Sequence, residues 1–188
     1  NALNVSIEVV DKENKIISNP VYNGQYKYFK VKYSGFMGND LSSIVNSNFS
    51  YSFNNSYIAK DTDVVEGNYY VSKFRAINAK DYEITLTSHG LDNYTISTTV
   101  SEFSIDKLKA ELSWNYTSPF TYSRTAYTVS ATISNRCTRE DTDLTDTVQA
   151  YISNNSYTNA GDYTASVTGV NNSNYYVSSI IISTKSFY

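Results

Sequence analysis

The stretch "NAGDYTASVT" occupies residues 159–168, and "NAKDYEITLT" occupies residues 78–87, which lie 81 positions earlier in the chain. After Tyr163 and after Tyr82, apolar and polar residues alternate, which is the period of a strand with one buried face. Similarity at a fixed distance is the sequence signature of a repeated structural unit. The two stretches therefore predict two copies of one β domain.

The match continues on both sides of these stretches. Downstream, Tyr94 lies opposite Tyr175 at the same offset of 81. Upstream, "DTD" at residues 61–63 lies opposite "DTD" at residues 141–143, at an offset of 80. We interpret both matches as parts of one repeat that covers the C-terminal half of each copy.

The N-terminal halves of the two copies differ in length. Tyr22 in "NPVYNGQ" resembles Tyr122 in "SPFTYSR", but this pair has an offset of 100. The first copy therefore carries about 20 additional residues. We place them in an insertion at about 34–59, a polar segment with Gly and Asn that is typical of a surface loop or an added hairpin.

The boundary between the copies is predicted near Lys107, which gives two domains, 1–107 and 108–188. Each domain consists of short alternating segments separated by turn residues, and no window has a convincing helical period. The predicted fold class is all-β, with two tandem small β-sandwich domains of the immunoglobulin-like type. Repeats of the β-grasp type are the alternative.

Composition supports this class and excludes others. The 188 residues include 19 Tyr and one Cys, and tyrosine suits a half-buried pleated surface. A formal net charge of -3 without a basic stripe argues against nucleic acid as a partner. The sequence contains no apolar run of roughly 18 residues, so we expect no membrane span. The strand-like start predicts a mature form or an excised fragment.

A family resemblance rests on the second copy. The stretch "TNAGDYTASVTGVNNSNYYV" (158–177), preceded by "SPFTYS" (118–123) and "DTDLTDTVQAYIS" (141–153), resembles the MBG-type repeats of bacterial surface proteins. The first copy matches more loosely, with Lys80 where Gly161 stands. The resemblance implies tandem small β domains in long extracellular proteins, often adhesins or envelope proteins, with neighbouring repeats of the same chain as partners and no catalytic residues.

Tyr82 and Tyr163 are predicted to be architectural. In sandwich domains, a Tyr that follows a tight turn packs its ring inward while its hydroxyl binds nearby backbone, forming a tyrosine corner. The segments "AKDY" and "AGDY" suit this role, and Gly161 is expected to supply the positive φ of the turn. We therefore expect both tyrosines to stabilise the fold rather than to bind a ligand.

Recurring carboxylates suggest a metal site. Asp61 and Asp63 lie opposite Asp141 and Asp143, and alternate carboxylates on a loop are oxygen ligands of the kind Ca²⁺ takes. Two side chains per copy are few for an ion that takes six to eight oxygens. The alternative is a turn before a strand, and no other cofactor is expected.

Neither of the two rarest reactive residues predicts catalysis. His89 lies in the turn-like "TSHGLDN"; a catalytic His needs a nucleophile or an orienting carboxylate in reach, and the second copy does not share this His. Cys137 lies near Arg136 and Arg139, which makes it either a reactive thiol or a bystander. We therefore predict a protein that is not an enzyme.

Two functions remain open on the sequence. One is a non-enzymatic spacer in an extracellular surface or adhesin-like protein. The other is a module that binds a host protein or a glycan through the aromatic residues of the insertion, Phe49, Tyr51, Phe53 and Tyr57. A spacer places its aromatics at matched positions in both copies, whereas a binder clusters unmatched aromatics in one place. Burial of Phe49, Tyr51 and Phe53 in their own domain would make the insertion structural.

Overall fold

A computed structural model describes most of the chain. The described residues are 1–44, 48–116, 120–178 and, for the backbone alone, 182–187. Strands make up 53% of the chain and helix 3%, which confirms the predicted all-β class. By contact the chain divides into two compact units, Asn1–Asp106 and Lys107–Tyr188, so the division lies one residue before the predicted boundary.

The described residues of the first unit form eight strands and one four-residue helix. They are β1 (Ala2–Val10), β2 (Lys27–Ser34), α1 (Asp40–Ser43), β3 (Phe49–Phe53), β4 (Ile58–Glu66), β5 (Tyr69–Ala76), β6 (Lys80–His89), β7 (Thr95–Ile96) and β8 (Val100–Ile105). A five-stranded sheet has the order β4-β5-β2-β1-β7 and a three-stranded sheet the order β3-β6-β8. All neighbours are antiparallel except β1 and β7. No helix in the described ranges is long and apolar enough to cross a membrane.

Aromatic side chains of the two sheets contact each other in the first unit. On β2 the alternation "FKVKY" buries Phe29, Val31 and Tyr33 on one face. The Tyr33 ring centroid lies 4.9 Å from that of Phe49 on the other sheet. Burial of each such side chain contributes roughly 1.5–3 kcal/mol to the free energy of unfolding. These contacts therefore form the main core of the unit.

The second unit is built from shorter strands. They are β9 (Leu108–Lys109), β10 (Leu112–Asn115), β11 (Tyr127–Thr128), β12 (Ser130–Ile133), β13 (Ala150–Ser153), β14 (Ser156–Tyr157), β15 (Gly161–Val170), β16 (Tyr175–Tyr176) and β17 (Ile182–Phe187). One sheet has the order β13-β15-β17, and the other pairings are β10 with β12, β11 with β14, and β9 with β16. Of these pairs, β9–β16 is parallel and the others are antiparallel.

The N-terminal hairpins of the two units have the same register. Val5 lies opposite Tyr33 in the β1–β2 pair, and Leu112 lies opposite Ile133 in the β10–β12 pair. Each residue of β10 lies 107 positions after its counterpart in β1, and each residue of β12 lies 100 positions after its counterpart in β2. Both differences hold at all four pairs of β10 and β12. The parallel β1–β7 pair of the first unit likewise has its counterpart in the β9–β16 pair.

The three-stranded sheets also match, down to one irregularity. The order β3-β6-β8 corresponds to β13-β15-β17, and each long strand carries one extra residue in a bulge: Thr87 of β6 opposite Ser50 and Tyr51, and Thr168 of β15 opposite Tyr151 and Ile152. After the bulge, Tyr51 lies opposite Leu86 as Ile152 lies opposite Val167. Because bulges are specific features that persist among related domains, a bulge at the same register supports a true duplication.

The predicted insertion at about 34–59 is wrong. Strand β3, which lies inside that segment, has β13 as its counterpart at an offset of 101. Arg75 pairs with Tyr28 in the first unit, and Ser156 pairs with Thr128 in the second. Arg75 and Ser156 are therefore counterparts, and the offset between the units has fallen to 81 at this point. The additional residues of the first unit therefore lie between Asn54 and Arg75 and form the β4–β5 hairpin.

The match between the two "DTD" segments is also wrong. Residues 61–63 lie on β4, inside the hairpin that the second unit lacks, whereas residues 141–143 lie in the connection between β12 and β13. Asp143 has a φ of 56°, a left-handed turn conformation that does not occur in a strand. The similarity is therefore local and does not report a shared position in the fold.

Candidate functional site

The aromatic face predicted to bind a ligand lies in the core of the first unit. Phe49 is 4% exposed and stacks on Tyr70 with ring centroids 4.5 Å apart. Phe53 is half-buried and meets Phe74 edge-on at 5.8 Å. The alternation that gathers these residues on one face of β3 turns that face toward β2 and β5. The predicted binding patch is therefore wrong, and these aromatics are structural.

Tyr57, the fourth member of the predicted patch, is separate from the others. It is 53% exposed and precedes β4, outside strand β3. The Lys80 ammonium lies 5.1 Å from its ring centroid, a cation–π contact at the surface. One exposed tyrosine with a single cation beside it does not form an aromatic binding surface.

A chain of hydroxyl groups lies beneath the predicted patch. The Tyr51 hydroxyl donates to Oγ of Ser72 at 2.7 Å and shares a 3.1 Å hydrogen bond with the Tyr33 hydroxyl. Burial raises the pKa of Tyr33 to about 12, and burial also raises the pKa values of Tyr51 and Tyr70 above the usual 10. These phenols are therefore neutral at physiological pH and act as buried hydrogen-bonding groups.

Two of the four aspartates predicted to bind calcium are paired with cations of the first unit. Asp63 has a side chain only 1% exposed, and its Oδ2 forms an ion pair with Lys60 Nζ at 2.6 Å. Asp61 lies 4.0 Å from the Lys73 ammonium and 3.9 Å from the Arg75 guanidinium. These cations already offset the negative charge that would attract Ca²⁺.

The other two aspartates lie in the second unit, and the first of them, Asp141, is paired with an arginine. The Arg139 guanidinium donates to both oxygens of Asp141, at 2.9 and 2.7 Å, and this hydrogen bonding lowers the pKa of Asp141. The Asp143 backbone N–H donates to the Arg139 carbonyl in the same turn. Across the described ranges no three His, Cys, Asp or Glu side chains gather as metal ligands. The predicted calcium site at Asp61, Asp63, Asp141 and Asp143 is therefore not formed by these residues.

Tyr82 and Tyr163 make the backbone hydrogen bond that the sequence predicts for them. The Tyr82 hydroxyl donates to the Asn78 carbonyl at 2.7 Å, and the Tyr163 hydroxyl donates to the Asn159 carbonyl at 3.0 Å. The positive φ expected at Gly161 is wrong, because this glycine lies in β15 with ordinary strand backbone. A Cβ at position 161 would lie 3.2 Å from the Tyr163 hydroxyl, which is a tight contact. Glycine therefore suits this position because it has no side chain.

A second pair of tyrosines has a structural role that sequence reasoning missed. The Tyr175 hydroxyl donates to Oδ2 of Asp146 at 2.8 Å and accepts from the Cys137 backbone N–H at 2.8 Å. The Tyr94 hydroxyl donates to Oδ2 of Asp40 at 2.6 Å and accepts from the Met37 backbone N–H at 2.8 Å. In the sequence, the match of Tyr94 with Tyr175 at an offset of 81 is the signal that could have indicated this role. The two carboxylates give no such signal, because their offset is 106.

The pKa directions agree with this role. Burial raises the pKa of Tyr175 well above its usual value, and the hydrogen bond to Asp40 is the main reason that the pKa of Tyr94 is raised. Both phenols therefore remain protonated donors to their carboxylates at neutral pH. In each unit this tyrosine, which follows the long strand, holds a loop from an earlier part of the same unit.

His89 and Cys137 are not arranged for nucleophilic chemistry. His89 lies opposite Phe49 at the end of β6, and its buried Nδ1 has no hydrogen-bond partner in the described part of the chain. Cys137 is half-buried, with Sγ 4.0 Å from the Asn135 carbonyl oxygen. Neither geometry places a general base against a nucleophile.

The second unit contains an aromatic recess that the sequence did not indicate. Its five rings come from residues on both sides of the β11–β14 pair: Phe120, Tyr122, Tyr127, Tyr157 and Tyr163. Phe120 stacks on Tyr127 with centroids 4.6 Å apart, and Tyr157 stacks on Tyr163 at 3.7 Å. Amides and a hydroxyl from Asn155, Thr158 and Asn159 line the same recess. We call this site the aromatic recess.

The same corner is closed in the first unit. Strand register makes Lys27 and Ala76 the counterparts of Tyr127 and Tyr157, and these two residues are 4% and 0% exposed. Tyr22, which the sequence matched with Tyr122, is 1% exposed, whereas Tyr122 is 57% exposed. The recess is therefore a feature of the second unit, and strand register gives the rings of Tyr127 and Tyr157 no aromatic counterpart in the first.

Comparisons with known proteins do not add to this picture. No family model matches the chain, and neither a curated protein nor a solved structure matches it. The roles of its residues therefore follow from the geometry of the chain itself.

Proposed function

We propose that this chain is a non-enzymatic structural segment, a spacer made of two tandem β-sandwich domains in an extracellular surface or adhesin-like protein. The observation that carries the proposal is the shared register of the two units, including the bulge at Thr87 and at Thr168. A duplication that preserves strand pairing adds length to a chain. The features that recur are those that hold each copy together.

An immunoglobulin-like sandwich is the fold we propose for each unit. In the first unit, aromatics on β2 and β5 contact aromatics on β3 and β8, as facing sheets of a sandwich do. A β-grasp arrangement needs a helix that packs on a sheet. The one helix of the described residues has four residues and buries none of them, which favours the sandwich.

The tyrosine hydrogen bonds support a structural role for the repeat. Tyr82 and Tyr163 bind backbone four residues upstream, and Tyr94 and Tyr175 bind a carboxylate and a backbone N–H. Each of these polar groups stabilises a connection within its own unit. A cell-surface location, with neighbouring repeats of the same chain as partners, follows from the resemblance to MBG-type repeats.

Force spectroscopy of the full chain tests this proposal. A spacer of two independent domains should unfold in two steps, since each unit has its own core. The 106 and 82 residues of the units correspond to unfolded contour lengths of about 36 and about 28 nm at roughly 3.4 Å per residue, and each step should equal that length less the end-to-end distance of the folded unit. A single step that spans the whole chain, or extension without a resolved step, would contradict the proposal.

A further inference from the structure

We propose that the aromatic recess of the second unit binds a neutral sugar ring of a glycan. This activity goes beyond a spacer role, which needs no ligand. The recess is shallow, with about 30 Å³ of enclosed space, so a sugar ring would lie across its aromatic opening with a few hydrogen-bonding groups at the rim. Three observations support a sugar: unmatched aromatics, a lining without formal charge, and the orientation of a tyrosine hydroxyl.

Two aromatics of the recess are additions to the shared fold. Tyr127 and Tyr157 lie opposite each other on β11 and β14, where the first unit has Lys27 and Ala76. In the first unit the β4–β5 hairpin closes this corner, and neither ring is present. A pair of aromatic residues at positions where the first unit has none, next to a tyrosine that is 57% exposed, indicates a surface kept for contact.

The lining carries no ionisable acid or base other than tyrosine. Its ten residues, all of them described, are aromatic, aliphatic, amide or hydroxyl side chains. An ionic ligand would leave its charge poorly compensated against such a surface. The ligand that fits is therefore uncharged, with an apolar face for the rings and a polar rim for the amides.

Hydrogen-bonding direction separates a sugar from a proline-rich peptide. The Tyr127 hydroxyl already donates its one proton to the Thr121 carbonyl at 2.7 Å, so toward a ligand it can only accept. A sugar hydroxyl can donate to it, whereas proline has no N–H to offer. The side chains of Thr158 and Asn159, both exposed, donate and accept, as sugar hydroxyls do.

The stacked rings supply the apolar part of the contact. The C–H face of a pyranose ring packs on an aromatic ring, and tyrosine adds a hydroxyl at the edge of that surface. Tyr122 presents the most exposed ring of the recess, and the Tyr157–Tyr163 stack forms an adjoining wall. We therefore expect Tyr122 to provide the stacking surface and the wall to fix the position of the sugar.

Calorimetric titration of the full chain tests the proposal with defined probes. The probes are cellotetraose, mannotetraose and tri-N-acetylchitotriose as neutral glycans, a polygalacturonate oligomer as an acidic glycan, and a hexaproline peptide. Tyr122→Ala removes the exposed ring, and Tyr157→Ala introduces the residue that the first unit has at this position. Tyr151→Ala is the matched control, because Tyr151 is 54% exposed in the same unit but outside the recess.

We expect saturable binding of at least one neutral glycan, weakened about tenfold or more by Tyr122→Ala and by Tyr157→Ala and unchanged by Tyr151→Ala. Circular dichroism should show all three variants folded, since Tyr122 and Tyr151 are exposed and Tyr157 is only half-buried. Three results would overturn the proposal: no binding of any neutral glycan at millimolar concentration, binding that Tyr122→Ala and Tyr157→Ala leave intact, or binding of hexaproline or polygalacturonate alone.

Discussion

The two units share strand registers but differ in the sheet beside their N-terminal hairpins. In the first unit, β2 pairs with β5 at seven residue pairs, and β4 extends the sheet beyond β5. In the second unit, β11 pairs with β14 at only two. The added β4–β5 hairpin thus converts a short pairing into a broad sheet, and the corner that it closes in the first unit remains a recess in the second.

This difference concentrates the core in the first unit. The largest side chains that are less than 2% exposed among the described residues all lie there: Tyr22, Tyr33, Tyr70, Tyr82, Phe29, Phe74, Ile84, Val10, Val31, Val71 and Ser72. Several of them belong to the hairpin itself. One topology therefore supports both a closed domain with a large core and a more open domain with an accessible aromatic surface.

Equivalent tyrosines should give unequal losses of stability, and this is the largest effect we expect. Tyr82→Ala removes a ring that is 1% exposed and should destabilise the first unit by about 3–5 kcal/mol. Tyr163→Ala removes a half-buried ring and should destabilise the second unit by only about 1–2 kcal/mol. Denaturant unfolding of the full chain, monitored separately for each unit, measures both values. Equal losses would contradict the difference in burial.

Alkaline pH should weaken the first unit more than the second. Burial raises the pKa values of Tyr33, Tyr51 and Tyr70 in the first unit and of Tyr175 in the second, and the hydrogen bond to Asp40 also raises the pKa of Tyr94 in the first unit. Above pH 10 the unfolded chain loses these protons while the folded chain keeps them, so stability falls as pH rises.

Each tyrosine removes up to about 1.4 kcal/mol per pH unit in this range, up to the folded pKa, which for Tyr33 is about 12. We therefore expect a fall between pH 10 and 11 at least three times larger in the first unit. Chemical unfolding at pH 7, 10 and 11 measures it, and parallel curves for the two units would be evidence against the burial of these phenols.

Removing one hydroxyl from each carboxylate-bound tyrosine sharpens the comparison further. Tyr175→Phe leaves the Asp146 carboxylate, which is 6% exposed, without its phenol donor and should cost about 1–3 kcal/mol. Tyr94→Phe should cost less, because Asp40 is exposed and water replaces the lost donor. Thermal unfolding of the two variants decides the order. A larger loss for Tyr94→Phe would refute the assignment of the buried site.

The smallest effect should come from the bystander tyrosine of the first unit. Tyr57→Phe removes the hydroxyl of a ring that is 53% exposed and keeps the face that the Lys80 ammonium contacts. A surface change of this kind usually alters stability by less than about 0.5 kcal/mol. A loss above about 1 kcal/mol in denaturant unfolding would show that Tyr57 belongs to the core after all.

The repeat is readable from the sequence because it fixes polar and aromatic positions on a long strand. Tyr82 and Tyr163 are required by a local hydrogen bond four residues upstream, so their surroundings keep similar letters. Strand β3 has no such constraint. Phe49 and Tyr51 correspond to Ala150 and Ile152, which share only an apolar character. Letter matching misplaces the insertion because register depends on alternation and not on identity.

The aromatic recess is out of reach of the sequence for a different reason. Tyr127 and Tyr157 are 30 positions apart in the sequence and meet through antiparallel pairing of two-residue strands. Strands so short have no measurable period, so nothing in the sequence predicts that they pair. The acidic segments mislead in the opposite direction, since Asp61 and Asp141 look alike in sequence but lie in unrelated parts of their units.

The measurement that most directly tests the duplication is the cross-strand register of β3 and β13 in solution. Nuclear Overhauser contacts between backbone protons should link Ser52 with Thr85 and Ser153 with Ser166. Both strand pairs should show the same register shift, immediately before the pair Tyr51–Leu86 in one and the pair Ile152–Val167 in the other. A register in β13 displaced by one residue, or contacts that place β13 beside a different strand, would contradict the claim that both units are copies of one fold.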